Sequence, residues 1–207
     1  MYLDLSHNSL SIFEQPPILP WKMMNFSDLS SNKLGGSLMT LPLSLVYFFA
    51  SKNNLTGTVP PMICQMKSLQ VLDISINQLI GQIPQCLGDF SNSLLVLNLR
   101  NNRFHGNLPE TFIEGSNLKT LDFSHNQIQG KIPRSLLKCK MLEILNLGND
   151  NMNDTFPFWL ESSPELQILI LPGNGFHCAI WDAHNNFSGK LPSQYFKTWT
   201  RMVIVPM

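Results

Sequence analysis

Hydrophobic and polar positions along this chain recur with a period near 24 residues. Residues 121–133, LDFSHNQIQGKIP, serve as the template: apolar at 121 and 123, Asn126, apolar at 128, Gly130, apolar at 132, Pro133. Counted from the Asn (once, Asp) of each copy, the units are centred on Asn8, Asn32, Asn53, Asn77, Asn102, Asn126, Asp150, Asn174 and Asn185. Most successive spacings are 24 or 25; the exceptions are 21 and 11. A compact core does not generate such regularity, so the chain reads as a repeat protein whose units contact mainly their neighbours.

Each unit predicts a short strand. Apolar residues stand five and three before the Asn, as in Leu72/Ile74, Leu97/Leu99, Leu121/Phe123 and Leu145/Leu147, and this period of two buries one face. A third apolar residue stands eight before it: Met24, Leu45, Leu69, Leu94, Leu118, Leu142 and Leu166. Stacking turns these columns into a ladder in which each Leu contributes roughly 1.5–3 kcal/mol. One unit alone cannot offset its ordering entropy, so adjacent units must supply the core. The Asn stands where the strand ends and backbone groups need new partners. Its amide both donates and accepts, and can bridge to the next coil's turn; Asp150 lacks the amide donors and predicts a weaker rung.

The second half of each unit reads LTGTVP (55–60), LIGQIP (79–84), FHGNLP (104–109), IQGKIP (128–133) and FSGKLP (187–192). The Gly frees the backbone at a turn. The Pro suits the first position of a short helical segment. Three residues further on stand Ile63, Leu87, Phe112, Leu136, Leu160 and Tyr195, a spacing that predicts a one-turn or 3₁₀ segment aiming them inward.

These motifs resemble the plant extracellular subtype of leucine-rich repeat across nearly the whole chain. More narrowly, VPPMICQMKSLQVLDIS, IPQCLGDFSNSLLVLNLRNN, IPRSLLKCKMLEILNLGND, DTFPFWLESSPELQILIL and HNNFSGKLPSQYF resemble plant receptor-like proteins of the disease-resistance type. The resemblance implies an α/β fold, a leucine-rich-repeat solenoid with parallel β-strands on its concave face and short 3₁₀ or irregular segments on its convex face. It also implies an ectodomain with a secretion signal, many repeats, one membrane span and a short tail lacking a kinase, of which this chain is an internal piece.

The pattern is weaker at both ends. Residues 11–25 form a Pro-rich half-coil without the GxIP turn, Ser27 takes an apolar position, and the unit at Asn53 is short and places Ala50 in the core. At the far end, a spacing of 11 cannot bring the chain back to the strand face. His177 stands where a Leu is expected, Asp182 would fall in the core, and Cys178 replaces the turn Gly. The expected organisation is a solenoid of about eight units over 1–176 and a disrupted terminal unit and tail over 177–207, with 185–207 poorly held. Missing polar caps would leave the fragment marginally stable alone.

Composition removes function classes. Charged residues are 14% of the chain and net charge is zero, against roughly 25% charged in average proteins. A nucleic-acid reader needs a basic stripe, and none is present. The chain starts inside a repeat without a secretion signal, and its longest apolar run, 41–50, is about half of what crosses a bilayer. The resemblance implies membrane attachment through a span outside this chain and a parent protein on the extracellular side of the plasma membrane. Histidines 7, 105, 125, 177 and 184 have no matched nucleophile or HExxH-like spacing, so no enzyme is expected.

Of the four cysteines, Cys64 and Cys86 fall in adjacent coils and can meet on the convex side, either as a disulfide or as two small core residues. Cys139 resembles one member of the family's next pair; its partner position here lies near Ser116, which predicts a free thiol. No CxxC or Cys/His spacing indicates a metal, and no cofactor is implied. Sequons at Asn25, Asn54, Asn153 and Asn186 are glycosylation candidates if the chain is secreted.

Binding is expected on the concave face, whose outward positions lie six, four, two and one before each Asn. Repeated Asp and Ser there belong to the repeat's own template. The departures are Tyr2, His7, Tyr47, Phe49, Lys52, Arg100 and His125, and aromatics and Arg are favoured at binding hot spots. The resemblance implies a peptide or protein ligand and signalling through a partner receptor kinase in defence or development. Two alternatives share the repeat: a secreted inhibitor of a pathogen's polygalacturonase, and an inactive truncated gene product.

Overall fold

The alternating apolar pairs form the expected strands. The computed structural model describes residues 1–11, 22–89 and 93–177, with the backbone of 203–204. Strands β1 (Tyr2–Asp4), β2 (Phe26–Asp28), β4 (Tyr47–Phe49), β6 (Val71–Asp73), β8 (Val96–Asn98), β10 (Thr120–Asp122), β12 (Ile144–Asn146) and β14 (Ile168–Ile170) lie side by side in that order, all parallel. Register follows the repeat, so Leu72 faces Leu97, Leu97 faces Leu121 and Leu121 faces Leu145.

Behind this sheet the apolar columns close into one core. The eighth-before column, Met24 to Leu166, is buried throughout, as are Leu72, Leu97, Leu121, Leu145 and Leu169. Ala50 is fully buried, and the short unit around it keeps register on both sides. Leu38, Met39 and Leu41, between its two flanking strands, are buried. Ser27 is fully buried as well, and its Oγ has no hydrogen-bond partner.

The convex side departs from expectation in two details. The motif proline caps its 3₁₀ helix, one place before the first helical residue, at Pro61–Gln65, Gln85–Leu87, Arg134–Lys138 and Phe158–Ser162. Its carbonyl is what matters: Pro60, Pro84, Pro133 and Pro157 each accept the N–H of the inward residue three places on, at 2.9–3.1 Å. Phe112 is equally buried but stands outside any helix. There Glu110 N–H donates to Gln85 Oε1 (3.0 Å) and the Thr111 hydroxyl to the Gln85 carbonyl, so the preceding coil holds the segment.

Between strand and helix lies a second sheet that the repeat pattern did not predict. Strands β7 (Ile80–Gln82), β9 (Arg103–Asn107), β11 (Gln127–Gly130) and β13 (Asn151–Met152) pair in parallel, as do β3 (Gly35–Ser37) and β5 (Asn54–Thr56). The turn glycine is needed here: Gly130 has φ +75°, and a Cβ on it would lie 2.6 Å from Asn107 Oδ1 of the preceding coil.

At the far end, His177 is exposed and forms a bridge with Thr155. Strand β15 (Val203–Ile204) pairs with β14, Ile168 opposite Val203 and Leu169 opposite Ile204. The free edge of β14 offers ladder partners to an extended segment, and these two residues take them. Cys178, Asp182, Asn186 and Tyr195 lie outside the described residues.

Candidate ligand-binding face

The Asn ladder sets the geometry of the face. Asn102 Nδ2 donates to the carbonyls of Leu99 and Arg100 in its own coil and of Ile74 in the preceding one; Asn102 Oδ1 accepts Leu79 N–H. The same set recurs at Asn32, Asn53, Asn77 and Asn126. The bridge thus runs to the preceding coil, not the next one, because the amide points back beneath the turn it closes. It holds each strand end rigidly beneath the concave side chains.

The repeated Asp column is structural, as the template reading held. Asp4, Asp28, Asp73 and Asp122 each accept the N–H of the Ser two residues on, at 2.8–3.0 Å. At Asp4 the bonds from Ser6 lower the carboxyl's pKa.

The departures from the template separate into two groups. Tyr2, Tyr47 and Phe49 are joined by Phe26, a residue the sequence reading passed over. Phe26 stacks on Tyr2 with centroids 4.1 Å apart and planes 10° from parallel; Tyr47 lies 6.2 Å and Phe49 5.8 Å from it. The Tyr47 hydroxyl is 2.9 Å from Gln70 Oε1. The signal was available, since Phe26 stands six before Asn32, in the column of Tyr2 and Tyr47. Ser27 beside it had marked the unit as irregular. Together the four rings form an aromatic platform on the first three strands, with Tyr2 65% exposed.

His7, Lys52 and His125 occupy a second column, immediately before the ladder Asn. Here the backbone is left-handed in every coil: φ is +55° at His7, Ser31 and Lys52, +53° at Ile76, +54° at Asn101, and +58° at His125 and Asn149. All three candidates are exposed. The His125 ring is 3.3 Å from Asn149 Nδ2. Arg100 is exposed two strands beyond Phe49, about 10 Å along the sheet, so it does not join the platform.

Elsewhere, Cys64 and Cys86 are bonded, with Cα atoms 5.6 Å apart. Cys139 is a buried free thiol; burial raises its pKa, against a hydrogen bond with Ser116. The sequon residues Asn25, Asn54 and Asn153 are exposed, Asn25 beside the platform and Asn54 at the start of β5. Among the described residues no cluster of three His, Cys, Asp or Glu could hold a metal, and no helix is long and apolar enough to cross a membrane.

Comparison with known proteins agrees with this architecture. The "Leucine rich repeat" family profile matches residues 92–152, and a second profile, "Leucine Rich Repeat", matches 68–90. Receptor-like protein 35 of Arabidopsis thaliana is 42% identical over 212 residues, covering 97% of this chain and 21% of its own length. Receptor-like protein 32 of the same plant is also 42% identical, over 222 residues, with 97% and 25% covered. The chain thus spans about a fifth to a quarter of those relatives. The Arabidopsis receptor kinase HAESA, solved with the peptide hormone IDA and the co-receptor SERK1, superposes with a TM-score of 0.71 at 34% identity, covering 75% of this chain and 26% of that one. The plant peptide hormone receptor RGFR1, solved with RGF2, gives 0.68 at 27%, covering 73% and 25%. Ladder, turn and sequence agree: the chain is a leucine-rich-repeat solenoid, and over nearly its whole length it is similar to plant receptor-like proteins.

Proposed function

We propose that this chain is a ligand-recognition segment of a plant receptor-like protein, acting on the extracellular side of the plasma membrane and binding a peptide or protein along its concave face. The observation that carries the reading is the platform of Tyr2, Phe26, Tyr47 and Phe49 on the open side of the sheet. Stacked rings supply large, rigid contact area at little entropic cost. His7, Lys52, Arg100 and His125 add polar and cationic contacts along the same face. A shallow curved sheet of this kind suits an extended partner better than a small molecule. The solved complexes of HAESA with IDA and of RGFR1 with RGF2 support a peptide as that partner. The co-receptor in the HAESA complex supports signalling through a partner receptor kinase; defence or development is the setting this reading implies. Glycans at Asn25, Asn54, Asn153 and Asn186 belong to the same reading.

A displayed random-peptide library panned against the immobilised chain tests this. Enriched peptides should lose at least about tenfold in affinity on a Tyr2→Ala/Tyr47→Ala/Phe49→Ala variant, about 1.4 kcal/mol. Peptides that bind the variant equally well, or a library that yields none, would reject the platform as the site.

A further inference from the structure

The ladder carries one carboxyl group, and its surroundings are built for an amide. At Asn32, Asn53, Asn77, Asn102, Asn126 and Asn174, Nδ2 donates to carbonyls of its own coil and to one of the preceding coil. The carbonyls of Leu29, Ala50, Ile74 and Leu99 therefore each receive two amide donors, from their own rung and from the following one. At residue 150 this arrangement is interrupted. The Phe123 carbonyl has the Asn126 amide at 2.7 Å and the Leu147 carbonyl the Asn174 amide at 2.6 Å, but neither has a donor from rung 150.

Asp150 Oδ1 fills the amide oxygen's place, accepting Ile128 N–H and also Asn126 N–H, both at 3.1 Å. Oδ2 consequently takes the place that Nδ2 holds in the Asn rungs named above, where it is buried and without a partner. An ionised Oδ2 there would set a negative charge against two carbonyl oxygens, which is repulsive and unsolvated. A protonated one supplies the missing donor.

We propose that Asp150 is held in the ladder as a neutral carboxylic acid, Oδ2–H donating to the Phe123 or Leu147 carbonyl, and that losing this proton to solvent weakens the joint between the coils it connects. The joint is then sensitive to pH.

The electrostatics agree. Burial raises the Asp150 pKa to about 7, with Asp122 of the preceding strand adding to the rise and the Ile128 and Asn126 N–H bonds opposing it. Of the titratable groups nearby, the preceding coil contributes Asp122 and His125, and its own coil Asp154. The following coil has none between Leu166 and Phe176. Asp122 is itself engaged by Ser124 and by Asn146 Nδ2. A carboxyl with a raised folded pKa binds its proton more tightly folded than unfolded. Its contribution is thus favourable in acid and is lost as pH climbs from about 4, the unfolded value, through about 7.

Thermal unfolding of the full chain and of Asp150→Asn, between about pH 5 and pH 8, tests the proposal. The variant restores the amide and removes the titration. Its Tm advantage over the natural chain should be small at the acid end and grow by several degrees toward pH 8. An advantage that is constant, or that grows toward acid, overturns the proposal. The natural chain alone gives a second reading through the ¹³C shift of the Asp150 carboxyl. A midpoint near neutrality is expected, and one near the usual 3.9 overturns it.

Discussion

Phe26 lies face to face with Tyr2 at 4.1 Å, across the first pair of strands, and through Tyr47 and Phe49 carries the aromatic surface on to the third. Ring pairs of this kind contribute about 0.5–1.5 kcal/mol beyond the area they bury. Phe26→Ala should therefore lower stability by about 1–2 kcal/mol in urea unfolding. It should also reduce the near-ultraviolet circular dichroism of the stacked rings. Unchanged dichroism would mean that the rings do not stack in solution.

Asn102 serves two coils at once. Asn102→Ala removes the donors to Ile74, Leu99 and Arg100 and the acceptor of Leu79 N–H, all within the buried ladder. With a buried N–H left unpaired, the expected loss is about 2–3 kcal/mol. Urea unfolding monitored by far-ultraviolet dichroism measures it.

Ile76 has φ +53°, a conformation costly for a β-branched residue, and its side chain is 37% exposed, so burial does not compensate. Asn occupies the same position at 101 and 149. Ile76→Asn should raise stability by about 1 kcal/mol, seen as a Tm higher by about 2–4 °C. A fall in Tm would show that Ile76 makes packing contacts outweighing its backbone strain.

Ser116 lies close enough to Cys139 for its hydroxyl to oppose the rise that burial imposes on the thiol's pKa. Ser116→Cys should close a second inter-coil disulfide, stabilising the chain by about 2–4 kcal/mol. Mass spectrometry after alkylation checks it: Cys139 should resist alkylation until reductant is added.

What could be read in advance follows from repetition. Leu97 and Leu121 carry the same meaning because each meets its copy in the next coil, so spacing alone predicted the parallel sheet, the buried columns, the Asn ladder and the exposed strip. Even the missing amide donors at 150 followed from counting those of one side chain. The second sheet did not, because β7, β9, β11 and β13 acquire ladder partners only after the coils have stacked.

The sequence by itself thus determined the solenoid and which residues face outward, since both depend on local period and side-chain chemistry. Only the tertiary structure decided which outward residues act together. Phe26 joins Tyr2, Tyr47 and Phe49 while Arg100 stands apart, and the unpaired Oδ2 of Asp150 faces a place made for an amide. These relations span 21 to 27 residues of chain and exist only once one coil lies against another, because a ring or a carboxyl acquires its partner from the neighbouring turn.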